Sequence, residues 1–91
     1  MKNKYLVIIN SIAKEKELFD LLNDNKLKFW HYIDGFWIII GNIDISELSD
    51  LLQTIYKTKI IIFEVDKIKN INYITSNNQS LDWLLEHFNI D

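Results

Sequence analysis

The chain has 91 residues but no cysteine, no proline, no arginine and only two glycines. The lack of cysteine excludes disulfides and thiolate metal sites. With glycine only at positions 35 and 41, no Pro/Gly-rich linker can divide the chain, and no internal repeat or low-complexity tract interrupts it. One domain is expected. All ten basic residues are lysines, and the net charge is −3. Arginine is the planar, bidentate reader of phosphate and guanine, so an acidic domain without it is a poor candidate for sequence-specific duplex DNA binding. No segment approaches the ~20 apolar residues of a membrane span. The apolar run from Tyr5 to Ile9 is too short for a secretory signal and lacks a small-residue cleavage site. A soluble, cytoplasmic protein without a membrane contact is expected.

The residues that are present are ample for a core, at 48% hydrophobic, which excludes a fully disordered chain. Isoleucine, asparagine and lysine are abundant, as in an AT-rich bacterial or viral genome. The lysines fall in pairs at 2/4, 14/16, 26/28, 57/59 and 67/69. Such pairs read as solvated strand starts or as parts of a local anion site.

Hydrophobic periodicity divides the chain into short elements. "KYLVIIN" (4–10) reads as a strand bounded by polar residues. "AKEKELFDLLNDN" (13–25) places Leu18, Leu21 and Leu22 at helical spacing, with Ser11 as an entry. "LKFWHYI" and "FWIIIG" flank Asp34-Gly35, a two-residue hairpin signal for a type I′ turn, which needs positive φ at both central positions. "DISELSDLLQTIYK" (44–57) opens with a capping box made by Asp44 and Glu47. "KIIIFEV" (59–65) is a further strand and "IKNINYIT" (68–75) a weak one. "SLDWLLEHF" (80–88) is a short terminal helix with Ser80 as its N-cap. The order β-α-β-β-α-β is the ferredoxin-like α+β pattern. Right-handed crossovers order the strands 4-1-3-2, with both helices on one face. Residues 1–65 form this core, and residues 66–91 form a tail that packs on it or on a second copy.

Strand alternation then sorts the sheet into two faces. Taking charged and polar residues (Lys4, Asn10, Lys28, Glu64) as markers of the helix-free face, that face carries Leu6, Ile8, Trp30, Tyr32, Trp37, Ile39, Ile60 and Ile62. Soluble domains rarely expose more than a few hundred Å² of contiguous apolar surface. Hiding one additional aromatic is worth roughly 2 kcal/mol or more. Trp30, Tyr32, Trp37, Ile39 and the tail residue Trp83 are therefore the expected interface or stacking residues. Their cover is a second copy in a homodimer, the chain's own tail, or a stacked base.

The hairpin "FWHYIDGFWIII", the leading strand "KYLVIIN" and the ending "DWLLEHF" together resemble SinR-like proteins. These are small relatives of the smaller subunit of the CRISPR spacer-integration complex, a family once described as small metal-dependent endoribonucleases. The matching residues are Trp30, His31, Tyr32 and Trp37 in the hairpin, and Asp82, Trp83 and Leu84 near the end. The resemblance implies a ferredoxin-like fold and a dimer. Nuclease-type members end the first strand in an Asp that holds a divalent metal at the dimer seam. Here that position is Asn10, which brings no charge to a metal that prefers carboxylates.

No other chemistry is signalled. His31 is expected to be a structural histidine on the helix-covered face. The chain has no closely spaced His pair for zinc, no Gly-rich phosphate loop and no Gly-x-Ser-x-Gly elbow. Neither a catalytic residue nor a cofactor is assigned. One candidate anion site remains, where Asn10, Ser11, Lys57 and Lys59 share an end of the sheet near a helix start. The expected function is non-enzymatic: a homodimeric module that binds a protein or a nucleotide signal. The resemblance sets it in a nucleic-acid-handling or defence system, and the size and composition fit a phage or mobile-element inhibitor acting by sequestration. A divergent metal-dependent endonuclease and a purely structural scaffold are the alternatives.

Overall fold

The computed structural model describes residues 2–67 and 78–88. The elements run β1 (Asn3–Ile9), α1 (Glu15–Asp24), β2 (Lys28–Ile33), β3 (Phe36–Gly41), α2 (Ile45–Gln53), β4 (Ile60–Glu64) and α3 (Asn78–His87). The four strands form one antiparallel sheet in the order β2-β3-β1-β4. This is a ferredoxin-like α+β fold, with the strand order expected from right-handed crossovers. The weak strand expected over 68–75 lies outside the described residues.

α1 and α2 are shorter than their sequence patterns, and α3 starts two residues earlier than its own. α1 is entered through Lys14 in the left-handed conformation, without a side-chain cap. Ser11 instead accepts from the Ala13 N–H at 3.1 Å, so it closes a local turn ahead of the helix. α2 is capped as expected: the Asp44 carboxylate accepts from the Glu47 N–H at 2.8 Å. α3 begins before Ser80, which is fully buried inside its first turn and does not cap it.

α1 and α2 cover one face of the sheet. Tyr5, Val7 and Ile9 of β1, with Trp37 and Ile39 of β3, pack there against Leu18, Leu22, Leu48 and Leu52. Two buried tyrosines tie this layer to its loops. The Tyr5 hydroxyl donates to the Ile43 carbonyl at 2.7 Å, and the Tyr56 hydroxyl donates to the Ala13 carbonyl at 2.9 Å. α3 lies on the opposite face, where Leu84 and Phe88 pack with Trp30, Ile38 and Ile40.

The sidedness of β3 and β4 differs from the sequence reading. Trp37 and Ile39 pair with Val7 and Tyr5 and lie on the helix-covered face; so do Ile60 and Ile62, which pair with Ile9 and Val7. The cause in β3 is a bulge. Ile33 pairs with Phe36, but Trp30 pairs with Ile38, so His31 and Tyr32 of β2 stand opposite Trp37 alone. One extra residue reverses the alternation beyond it. The turn is also not type I′. Gly35 has φ 75° while Asp34 is not among the positive-φ residues. Such a turn fits strand twist poorly, and the adjacent bulge supplies the added local twist. In β4 the charge of Glu64 misled. It lies on the helix side, but at the exposed end of an edge strand, where a carboxylate reaches water.

Gly35 is fixed by contact as well as by conformation. Its carbonyl accepts from the Ile9 N–H at 2.7 Å, and a Cβ there would meet the Ile9 carbonyl oxygen at 2.7 Å. Gly35→Ala is expected to lower unfolding free energy by about 2 kcal/mol, combining left-handed strain with a clash against immobile backbone; urea denaturation measures it. A second expectation concerns alkaline stability. Burial, then the nearby Glu64, raises the Tyr5 pKa above its ordinary 10.0. Burial, then Glu15 and Glu17, raises that of Tyr56. The stability held in these neutral phenols is complete below pH 10 and is lost as pH rises through the folded-state values. The melting temperature should fall above about pH 10, and less steeply in Tyr56→Phe.

Candidate interaction face

α3 shelters only part of the face it occupies. Over β2 and β3 it buries Trp30 and Ile38, and the Trp30 indole N–H donates to the Ser80 carbonyl at 2.9 Å. Phe36 meets Trp30 edge-on, with centroids 6.0 Å apart. Tyr32 lies against Trp30 at 5.2 Å but is 53% exposed. Trp83 packs at the margin of this cluster and stacks on His87 at 4.1 Å. The His87 ring in turn donates from Nδ1 to the Trp83 carbonyl, 2.9 Å away.

Beyond this cover a continuous apolar row crosses the whole sheet. Ile33 pairs with Phe36, Phe36 with Ile8, and Ile8 with Ile61. Phe63 follows Ile61 on the same face of β4. Ile33, Ile61 and Phe63 are each about half exposed, and Ile8 is 43% exposed. At the hairpin end the row borders a shallow depression of about 450 Å³, floored by Ile8, Ile33 and Phe36 and rimmed by Asn10 and Asp34. The sequence reading missed Ile33, Phe36, Ile61 and Phe63 as surface residues. The available signal was the pairing of β4 with β1: once Ile8 is on the helix-free face, its partner Ile61 must share it.

The expected interface set therefore divides. Trp30, Tyr32 and Trp83 come together on the α3 side. Trp37 and Ile39, at 1% and 0% exposure, lie in the opposite layer. The anion-site candidates are adjacent in backbone but divided in surroundings. Asn10 donates its N–H to the Lys59 carbonyl at 3.0 Å. Ser11 and Lys57 line a separate depression of about 250 Å³ with Lys14. Lys14 and Lys57 direct their ammonium groups to the Ile55 and Gln53 carbonyls at 3.2 and 3.4 Å, at the negative end of α2. The helix start expected to help an anion carries Glu15 and Glu17 in its first turn.

His31 faces the helix layer, as alternation predicts. Its ring lies flat on Trp37, with centroids 3.7 Å apart and planes 2° apart. Nε2 is 2.6 Å from the Glu15 carboxylate and Nδ1 is 2.9 Å from the Phe36 carbonyl. Each ring nitrogen thus lies within hydrogen-bond distance of one acceptor. This arrangement ties α1 to the bulge. It is built for position, since neither ring nitrogen faces open space. Among the described residues, no group of three or more His, Asp or Glu side chains is placed to hold a metal ion, and no helix is long and apolar enough to cross a membrane.

Comparison with protein-family models, curated proteins and solved structures found no match.

A double-mutant cycle tests the clamp. Glu15→Gln and His31→Gln should each destabilise the fold, with a coupling energy of about 1 kcal/mol. Trp37 fluorescence should change in both variants. Coupling near zero would mean that the carboxylate and the ring act independently.

Proposed function

We propose that this chain is a non-enzymatic binding module that works as a homodimer, with the half-exposed apolar row on the α3 side of its sheet as the contact surface. The observation that carries this reading is the apolar row Ile33–Phe36–Ile8–Ile61, with Phe63 beside it. Large side chains left half exposed in a contiguous strip mark an interaction site, unlike single scattered ones. The side chains of the strip are hydrocarbon, and Asn10 and Asp34 are the polar side chains that line the depression at its hairpin end among the described residues. Surfaces of this composition recognise other apolar surfaces.

The resemblance of the hairpin and terminal helix to SinR-like proteins supports two further parts of the reading. One is the dimer. The other is the setting, a nucleic-acid-handling or defence system in which the module sequesters a protein or nucleotide signal.

Sedimentation equilibrium tests the dimer. The wild-type chain is expected to be dimeric at micromolar concentration. Completing the burial of Ile61 and Phe63 in both copies is worth about 4 kcal/mol in total. Ile61→Lys with Phe63→Lys should therefore raise the dimer Kd about a thousandfold, with an unchanged far-UV spectrum. A wild-type chain that stays monomeric at its highest soluble concentration overturns the reading.

A further inference from the structure

The His31 ring spans two layers of the molecule. Nε2 lies 2.6 Å from the Glu15 carboxylate of α1, and Nδ1 lies 2.9 Å from the Phe36 carbonyl of β3. That carbonyl belongs to the peptide joining Phe36 to Trp37, and the same ring lies flat on the Trp37 indole. One side chain therefore holds this peptide at its oxygen and at the residue that follows it. The hold falls where the ladder is irregular. The Ile9 N–H donates to the Gly35 carbonyl, so Ile8 and Phe36 form a non-hydrogen-bonded pair. The backbone groups of Phe36 then turn away from β1 and toward β2, the strand whose register shifts at this point. The Phe36 side chain lies on the other face, where it floors the depression with Ile8 and Ile33 and meets Trp30 edge-on.

We infer that His31 is a positioning residue for the contact surface: anchored to α1 by Glu15, it sets from the helix side of the sheet where Phe36 stands on the α3 side. The inference rests on the homodimer reading, in which the apolar row and its depression are what a second copy meets, and it names what governs that surface. Further contacts close a circuit around the same depression. Asn10 follows β1 and lines the rim, and residues 11–14 lead from it to Glu15. This link is pinned to the turn after α2. The Tyr56 hydroxyl donates to the Ala13 carbonyl at 2.9 Å, and the Lys14 ammonium donates to the Ile55 carbonyl at 3.2 Å. The rim and the floor of the depression are thus both referred to the start of α1, one through the backbone and one through the His31 ring. The Glu15 side chain is 35% exposed, so a change at the start of α1 reaches it from solvent without touching the contact surface.

Sedimentation equilibrium and NMR of full-length variants test this. His31→Phe keeps a ring against Trp37 and removes both polar contacts, whereas Glu15→Ala cuts the tie to α1 alone. Each should raise the dimer Kd about fivefold, the size of a modest coupling between separate sites. The double variant should rise no further than His31→Phe, because both cuts lie in one chain of contacts. Leu52→Val, a cut in the core under α2, should lower the melting temperature and leave Kd within about twofold. In Glu15→Ala the methyl resonances of Ile8 and Ile33, on the far side of the sheet, should shift. Variants that lose stability while Kd and those resonances hold would make the clamp structural only and overturn the inference, with the homodimer left standing. Effects that multiply in the double variant would also overturn it. A wild-type monomer would remove the homodimer reading, and the methyl resonances would then decide alone whether His31 sets the depression.

Discussion

The two-residue bulge in β2 decides how the rest of the molecule is arranged. Placing His31 and Tyr32 opposite Trp37 alone sends the two ring systems of the hairpin to opposite sides. His31 and Trp37 stack beneath α1, while Trp30 and Tyr32 turn to the α3 side. A regular hairpin would have set Trp30 and Trp37 on one face. That face would then carry both indoles, and the helix layer would lack the ring against which His31 and Phe19 pack. The bulge thus divides a hairpin rich in aromatics between two cores, each with its own helical cover. Glu15 holds the arrangement from the helix side through the His31 ring.

The second core is small and lopsided. α3 brings Leu84 and Phe88 to Trp30, Ile38 and Ile40, with the Lys4 ammonium 5.0 Å from the Phe88 ring centroid. A helix is only about 10 Å wide with its side chains, whereas four strands at about 4.8 Å span more. One helix set over β2 and β3 reaches Leu6 of β1 but leaves Ile8, Ile61 and Phe63 about half exposed. The exposed row follows from this mismatch of widths, and it lies where hydrophobic side chains already alternate with the buried ones of the other face.

Much of this was legible in the sequence. Strand order, element order, the Asp44 cap and the inward direction of His31 all follow from periodicity, turn residues and the handedness of crossovers. The faces of β3 and β4 did not follow. A bulge leaves no compositional mark in "KFWHYIDGF", because its cause is the twist demanded by a turn with one positive φ, and that depends on backbone angles. The error in β4 came from treating charge as a marker of the open face. The rule holds in central strands, where the covered face is dry. It fails at the end of an edge strand, where Glu64 on the covered side still meets solvent beside the Tyr5 hydroxyl. The sequence left the cover of the helix-free face open between the tail and a second copy; residues 78–88 lie there as α3, and how far a helix reaches over a face depends on packing, which periodicity does not encode.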